Sequence, residues 1–167
     1  FLSQPLQMIQ AEPLIARLAA EGEGMTFGIT ILLLAMQNPI IVAENAASLD
    51  WITNGNYVLG VGLGYRPEEF EALGVEFEQR VSRFEEAIPL IRRLWNEESV
   101  THHGQHFNVS GLGASIKPKR AGGPPIWVGG DVIAAVQRAA KLNCPWIAPP
   151  TMTFNEIAER VKEYRKA

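Results

Sequence analysis

The chain has 167 residues, 15 Lys plus Arg against 18 Asp plus Glu, with 47% hydrophobic and 20% charged residues. That length suits one domain with a substantial core, and the composition is that of an ordinary globular protein. A formal net charge of −3 offers no basic face for nucleic acid, and no apolar run approaches the ~18 residues a membrane-spanning helix needs. The single cysteine, Cys144, excludes an internal disulfide and fits a reducing compartment. The sequence opens at Phe1 with no charged region ahead of an apolar stretch, so the expected location is cytoplasmic.

In chain order, Glu12-Pro13 opens a helix with Leu14, Ile15, Leu18 and Ala19 at helical spacing, and Glu21-Gly22-Glu23-Gly24 stops it. Phe27 to Leu34 is a nearly continuous apolar run, the pattern of a parallel strand covered on both faces. Asn38-Pro39 supplies an N-cap and a first-turn proline for a second helix. Its buried stripe is Val42, Ala46, Leu49 and Ile52, and Asn54-Gly55 ends it. Tyr57 to Val61 then reads as a second strand that runs into alternating glycines, Gly60, Gly62 and Gly64, and a Tyr65-Arg66-Pro67-Glu68-Glu69 cluster. Glycines at a strand end admit the close approach of another backbone or of a flat ligand. The alternation of helix and strand predicts a parallel sheet.

An amphipathic helix is expected from about Glu78 to Trp95, burying Val81, Phe84, Ile88, Ile91 and Trp95. Pro89 within it predicts a kink or two abutting helices. Residues 100–123 are turn-rich and read as a surface excursion of short extended pieces. Ile126-Trp127-Val128 is a short buried strand ending in Gly129-Gly130, and Asp131 is the expected cap of a helix burying Ile133, Val136, Ala140 and Val132. Trp146-Ile147-Ala148 is a further strand. Thr153-Phe154-Asn155-Glu156 forms a capping box for a last helix with Ile157, Val161 and Tyr164 facing inward. Four strands, each followed by a helix, amount to about half of an eightfold β/α barrel or to an open parallel sheet.

Gly129-Gly130-Asp131, at a strand end and a helix start, gathers backbone N–H groups and the helix dipole at one spot, which suits an anion such as phosphate. Read otherwise, it is only a turn. His102, His103 and His106 sit in a Gly-interrupted loop without a nearby acidic residue in sequence, a poor metal set, and no metal is expected. Cys144, beside Asn143 and Pro145, reads as a structural thiol. Gly60, Gly62 and Gly64 lack the dinucleotide-binding spacing.

Leu59-Gly60-Val61-Gly62-Leu63-Gly64-Tyr65-Arg66-Pro67-Glu68-Glu69-Phe70, continued by Glu71-Ala72-Leu73-Gly74-Val75, resembles the bacterial luciferase-like flavin-dependent monooxygenase family. So do Arg83-Phe84-Glu85-Glu86-Ala87 running to Leu94-Trp95, Gly123-Pro124-Pro125-Ile126-Trp127-Val128-Gly129-Gly130, and Asn38-Pro39 before Leu49-Asp50. The matches are collinear over nearly the whole chain. The resemblance implies an α/β fold, a (β/α)8 TIM barrel, with residues 1–167 covering its middle portion, about strands 3–6, as a fragment of a longer enzyme.

It also implies a cofactor, FMN or the deazaflavin coenzyme F-420, held by Ile29, Thr30, Leu63, Gly64, Tyr65, Val128, Gly129 and Gly130. The last three would take the ribityl phosphate, and an unusual cis peptide is expected near Thr30-Ile31. Tyr65 stands where some deazaflavin-dependent relatives have a carboxylate, so it is a catalytic candidate only. A histidine used by several relatives comes from an N-terminal strand outside this chain. Arg66, Glu68 and Glu69 are expected at a substrate gate spanning Arg66 to Val75, or else at a solvated helix start.

The implied activity is flavin-dependent oxidation: a monooxygenase using reduced FMN and O₂ on a small organic substrate, supplied by a partner flavin reductase. The alternatives are a deazaflavin-dependent dehydrogenase and a non-catalytic flavoprotein or inactive fragment. A homodimer is expected of the longer protein.

Overall fold

The computed structural model describes residues 9–167. The elements are α1 (Ala11–Ala19), β1 (Phe27–Leu33), α2 (Pro39–Ile52), β2 (Tyr57–Gly62), α3 (Pro67–Ala72), α4 (Arg80–Asn96), β3 (Val100–His103), β4 (Asn108–Leu112), β5 (Ile126–Gly129), α5 (Ile133–Lys141), β6 (Trp146–Ile147) and α6 (Phe154–Lys166). Strands β1, β2, β5 and β6 form one parallel sheet in that order, and β3 pairs with β4 in an antiparallel hairpin. Helices α2 and α4 cover the sheet around a core that includes Leu34, Val42, Leu59, Val61, Phe84, Ile88, Ile91 and Leu94. This is the strand–helix order of a β/α barrel segment.

Local chemistry explains most boundaries. Asn38 Oδ1 accepts the Ile40 N–H at 2.9 Å, so α2 starts where its cap and proline require. Asn54 and Gly55, both at positive φ, turn the chain out of α2. The Thr153/Glu156 capping box is complete at α6. Within residues 100–112 the chain folds as the β3–β4 hairpin, with Val100 and Val109 buried in the core.

The structure corrects several expectations. Strand β1 is not covered on both faces: it is an edge of the described sheet, and only Ile29 in it is buried. Strand β2 is the one buried along its whole length. Helix α4 is a single continuous helix with Pro89 inside it, not two abutting ones; Pro89 lies on its exposed side, where a lost backbone bond can be met by water. Val132, not Asp131, is the N-cap of α5, and it provides no side-chain cap. The buried face of α5 is Ala135, Val136 and Ala139, while Val132 and Ile133 are exposed. Ile52 is likewise exposed, and Ile157, Val161 and Tyr164 are only half-buried.

Glu86 fastens the hairpin to α4. Its carboxylate accepts from His102 Nε2, from the His106 N–H and from the Phe107 N–H, each at 2.9 Å. Burial pushes its pKa up, but these hydrogen bonds outweigh that and hold the carboxyl below its usual range. A depressed folded-state pKa adds stability above the unfolded value, and that stability is lost as pH falls through the folded one. Glu86→Gln should therefore cost about 1–3 kcal/mol at neutral pH. The difference from wild type should close below about pH 4; urea denaturation at both pH values measures it, and a difference that persists at low pH would contradict the assignment.

Candidate functional site

The sheet's C-terminal edge is built around an irregularity in β1. Ile29 pairs with Leu59 and Leu32 with Val61, so β1 carries one more residue than β2 between those pairs. Within this bulge the Thr30–Ile31 peptide bond is cis, where the resemblance places one. A Cβ at Gly60 would lie 2.3 Å from the Ile29 carbonyl oxygen, and one at Gly62 would lie 2.1 Å from Ile31 Cδ1. Two of the three alternating glycines thus make room for the bulged neighbour strand rather than for a ligand. Gly64, at φ +82°, turns the chain out of β2 and packs against Met36 and Phe70.

Above this edge lies a cleft of about 640 Å³. Thr30, Ile31, Leu63, Gly64, Tyr65, Val128, Gly129 and Gly130 line it, with Phe77, Phe84, Ile147, Ala148, Pro149 and Pro150 adding apolar wall. All the expected cofactor residues except Ile29 meet here. Ile29 is a correction: it is buried in the core, because the bulge directs the following residues toward the cleft instead. Tyr65 stands on the lip, 76% exposed, with the Arg66 guanidinium carbon 5.4 Å from its ring centroid.

The three expected gate residues do not line the cleft. Arg66 is the N-cap of α3, Glu68 is exposed and Glu69 is buried. Helix α3 is pinned by Phe70, which is fully buried and meets Phe77 edge-to-face at 5.2 Å between centroids. Arg66 to Val75 is therefore an anchored turn of helix in this structure, and an apolar residue within a charged segment is the physical reason.

The residues lining the cleft carry a net positive charge, Arg80 and Arg138 against Asp131. Ahead of the first intrahelical bonds of α5, which Ala135 and Val136 donate to the Val132 carbonyl, the opening N–H groups lack partners along the helix, and Gly130, Asp131 and Val132 line the cleft. Trp146 Nε1 donates to the Gly130 carbonyl at 2.7 Å, which ties the turn to β6. Arg80 and Arg138 also line the cleft; the sequence reading missed both, since each lies on the polar side of an amphipathic helix, where solvated arginines are common. Apolar walls with a net positive charge suit a flat, mostly apolar ring system carrying a phosphate.

Elsewhere, Cys144 is buried and its thiol is pushed up by burial, against the opposing effect of Arg92, whose Nη2 lies 3.1 Å from Sγ. His102 is tied to Glu86 and His106 Nε2 to Ser82 Oγ at 2.8 Å. Among the described residues no helix is long and apolar enough to cross a membrane.

The parallel sheet and its helices form a segment of a β/α barrel, with a cleft over the C-terminal edge of the sheet. The chain belongs to the luciferase-like monooxygenase family, whose pattern matches residues 7–167. It is 34% identical over 143 residues to a phthiodiolone/phenolphthiodiolone dimycocerosates ketoreductase of Mycobacterium kansasii, covering 83% of this chain and 39% of the relative. The oxygenating constituent of 3,6-diketocamphane monooxygenase from Pseudomonas putida, a type II Baeyer-Villiger monooxygenase in complex with FMN, superimposes with a TM-score of 0.83 at 21% identity, covering 94% of this chain and 47% of that one. An F420-dependent secondary alcohol dehydrogenase superimposes with a TM-score of 0.78 at 21% identity, covering 99% and 53%. The chain thus spans about two fifths to half the length of these proteins, in keeping with a partial barrel.

Proposed function

We propose that the cleft is the cofactor site of a flavin-dependent oxidoreductase and that its positively charged lining takes the phosphate of FMN. The observation that carries this reading is the meeting, in one cleft, of the Gly129-Gly130 turn, the start of α5 and two guanidinium groups. FMN ends in a phosphate monoester, a compact dianion matched to such a spot. When bound, FMN would supply the electron transfer, with O₂ as co-substrate, for monooxygenation of a small organic molecule. The chain's own part is to bind and orient. Val128, Gly129 and Gly130 would seat the phosphate end, and Thr30, Ile31, Leu63 and Gly64 would border the ring. Phe77, Phe84, Pro149 and Pro150 would exclude water. Tyr65, on the lip, would meet the substrate. A separate flavin reductase would deliver the reduced cofactor, and the protein would act as a homodimer in the cytoplasm.

A second reading, reduction of a carbonyl group with coenzyme F-420, is favoured by the ketoreductase relative and would use the same cleft. Fluorescence titration of the protein with FMN and with F-420 separates the two. FMN binding tighter than ~100 μM, about −5.5 kcal/mol, with weaker F-420 binding, is the expected result. The reverse order would establish the second reading, and binding of neither would overturn both.

A further inference from the structure

Arg138 sits in the last turn of α5, and it lines the same cleft as Gly130, Asp131 and Val132 at the start of that helix. Side chains on a helix lean toward its N-terminus, which from Arg138 is the direction of the Gly129-Gly130 turn. That turn and the helix are close: a Cβ on Gly130 would come within 2.5 Å of the Ala135 Cβ. The Arg138 side chain is only 12% exposed. Its Nε donates to Glu85 Oε1 on α4 at 2.9 Å, and among the described residues neither Nη group has a partner. A guanidinium carries five N–H donors in a rigid fork. Here one is committed to Glu85, and the residue lines the cleft.

The other cations nearby are placed differently. Arg80 donates from Nη1 to the Phe77 carbonyl at 2.9 Å and stacks with its guanidinium carbon 3.8 Å from the Phe77 ring centroid. Arg160 Nε reaches the Asp131 carbonyl at 2.8 Å and does not line the cleft. The acidic groups on this side are Glu85, which is half exposed, and Asp131, whose residue is exposed at the lip.

We infer that Arg138 is the phosphate-selecting residue of the cleft and that Glu85 positions it. The inference rests on the FMN reading above and deepens it: Arg138 distinguishes a phosphorylated flavin from an unphosphorylated one. Glu85 takes the Nε–H, which turns the Nη edge toward the ligand. Removing a carboxylate would by Coulomb's law alone strengthen anion binding; loss of a positioning contact weakens it. The sign separates the two.

The test measures dissociation constants of FMN and riboflavin for the wild-type protein and for Arg138→Met, Arg138→Lys and Glu85→Ala. Wild type should prefer FMN at least tenfold. Arg138→Met should lose at least tenfold for FMN and less than threefold for riboflavin, whose retained binding reports an intact cleft. Arg138→Lys keeps the charge and length and should fall between. Glu85→Ala should weaken FMN about threefold, with riboflavin unchanged. If FMN binds wild type and Arg138→Met or Arg138→Lys keeps the full preference, the role of Arg138 is overturned while the flavin reading stands. Stronger FMN binding by Glu85→Ala overturns the positioning role. If wild type binds no FMN, the flavin reading and this inference fall together.

Discussion

Gly60→Ala should destabilise the protein by roughly 3 kcal/mol, near the upper end for overpacking, whereas Gly62→Ala should change stability by less than about 1 kcal/mol. The added methyl meets different obstacles at the two positions. At Gly60 it would sit 2.3 Å from the Ile29 carbonyl oxygen and 3.2 Å from Ile147 Cδ1. The carbonyl belongs to a backbone already committed to the β1–β2 ladder and its bulge, so it can move only with the strand. At Gly62 the obstacle is Cδ1 of Ile31, the far end of a side chain that borders the cleft. A rotamer change there costs on the order of 0.5–1.5 kcal/mol and is offset in part by the lower entropy of alanine in the unfolded chain. Urea denaturation of the two variants gives the comparison. Equal losses would mean that the bulge in β1 is not held against β2 as described.

Val132→Asp should raise stability and lower FMN affinity at once. Val132 is the N-cap of α5, with φ −83° and ψ 151°, and has no capping side chain. An aspartate there can accept from the first-turn N–H groups, worth about 1 kcal/mol. Val132 also lines the cleft, so the new carboxylate would stand where the phosphate is proposed to bind. Two unit like charges about 4–6 Å apart repel by roughly 3–4 kcal/mol at an effective dielectric constant of about 20. The FMN dissociation constant should rise tenfold or more, and riboflavin should change less than threefold. A parallel loss for both flavins would remove the phosphate from this end of the cleft.

Much of the fold was legible because it follows from local chemistry. The cap at Asn38, the stop at Asn54-Gly55 and the capping box at Thr153 each specify their boundary with residues adjacent in sequence. That the four strands form a parallel sheet followed from the alternation of helix and strand; their order did not. The site was legible at the residues that sit on strand ends, since Leu63, Gly64, Val128, Gly129 and Gly130 are delivered to the cleft by the sheet itself. The resemblance located the cis bond at Thr30–Ile31; no spacing rule would have. What escaped depends on tertiary packing. Ile29 sits in the core because of a register shift that only the partner strand reveals. Arg80 and Arg138 come from the polar sides of two helices, and nothing in their own neighbourhoods marks them apart from solvated arginines. Phe70 turned the charged segment after Gly64 from an expected gate into an anchored helix.

On the reading proposed above, FMN occupies the cleft over the C-terminal edge of the sheet, phosphate toward α5. A crystal structure of the protein with FMN tests it most directly. The phosphate should lie within hydrogen-bonding distance of the backbone N–H groups at residues 130–133 and of Arg138, with the ring bordered by Thr30, Ile31 and Gly64. FMN bound with its phosphate at the opposite end, or outside this cleft, would contradict it.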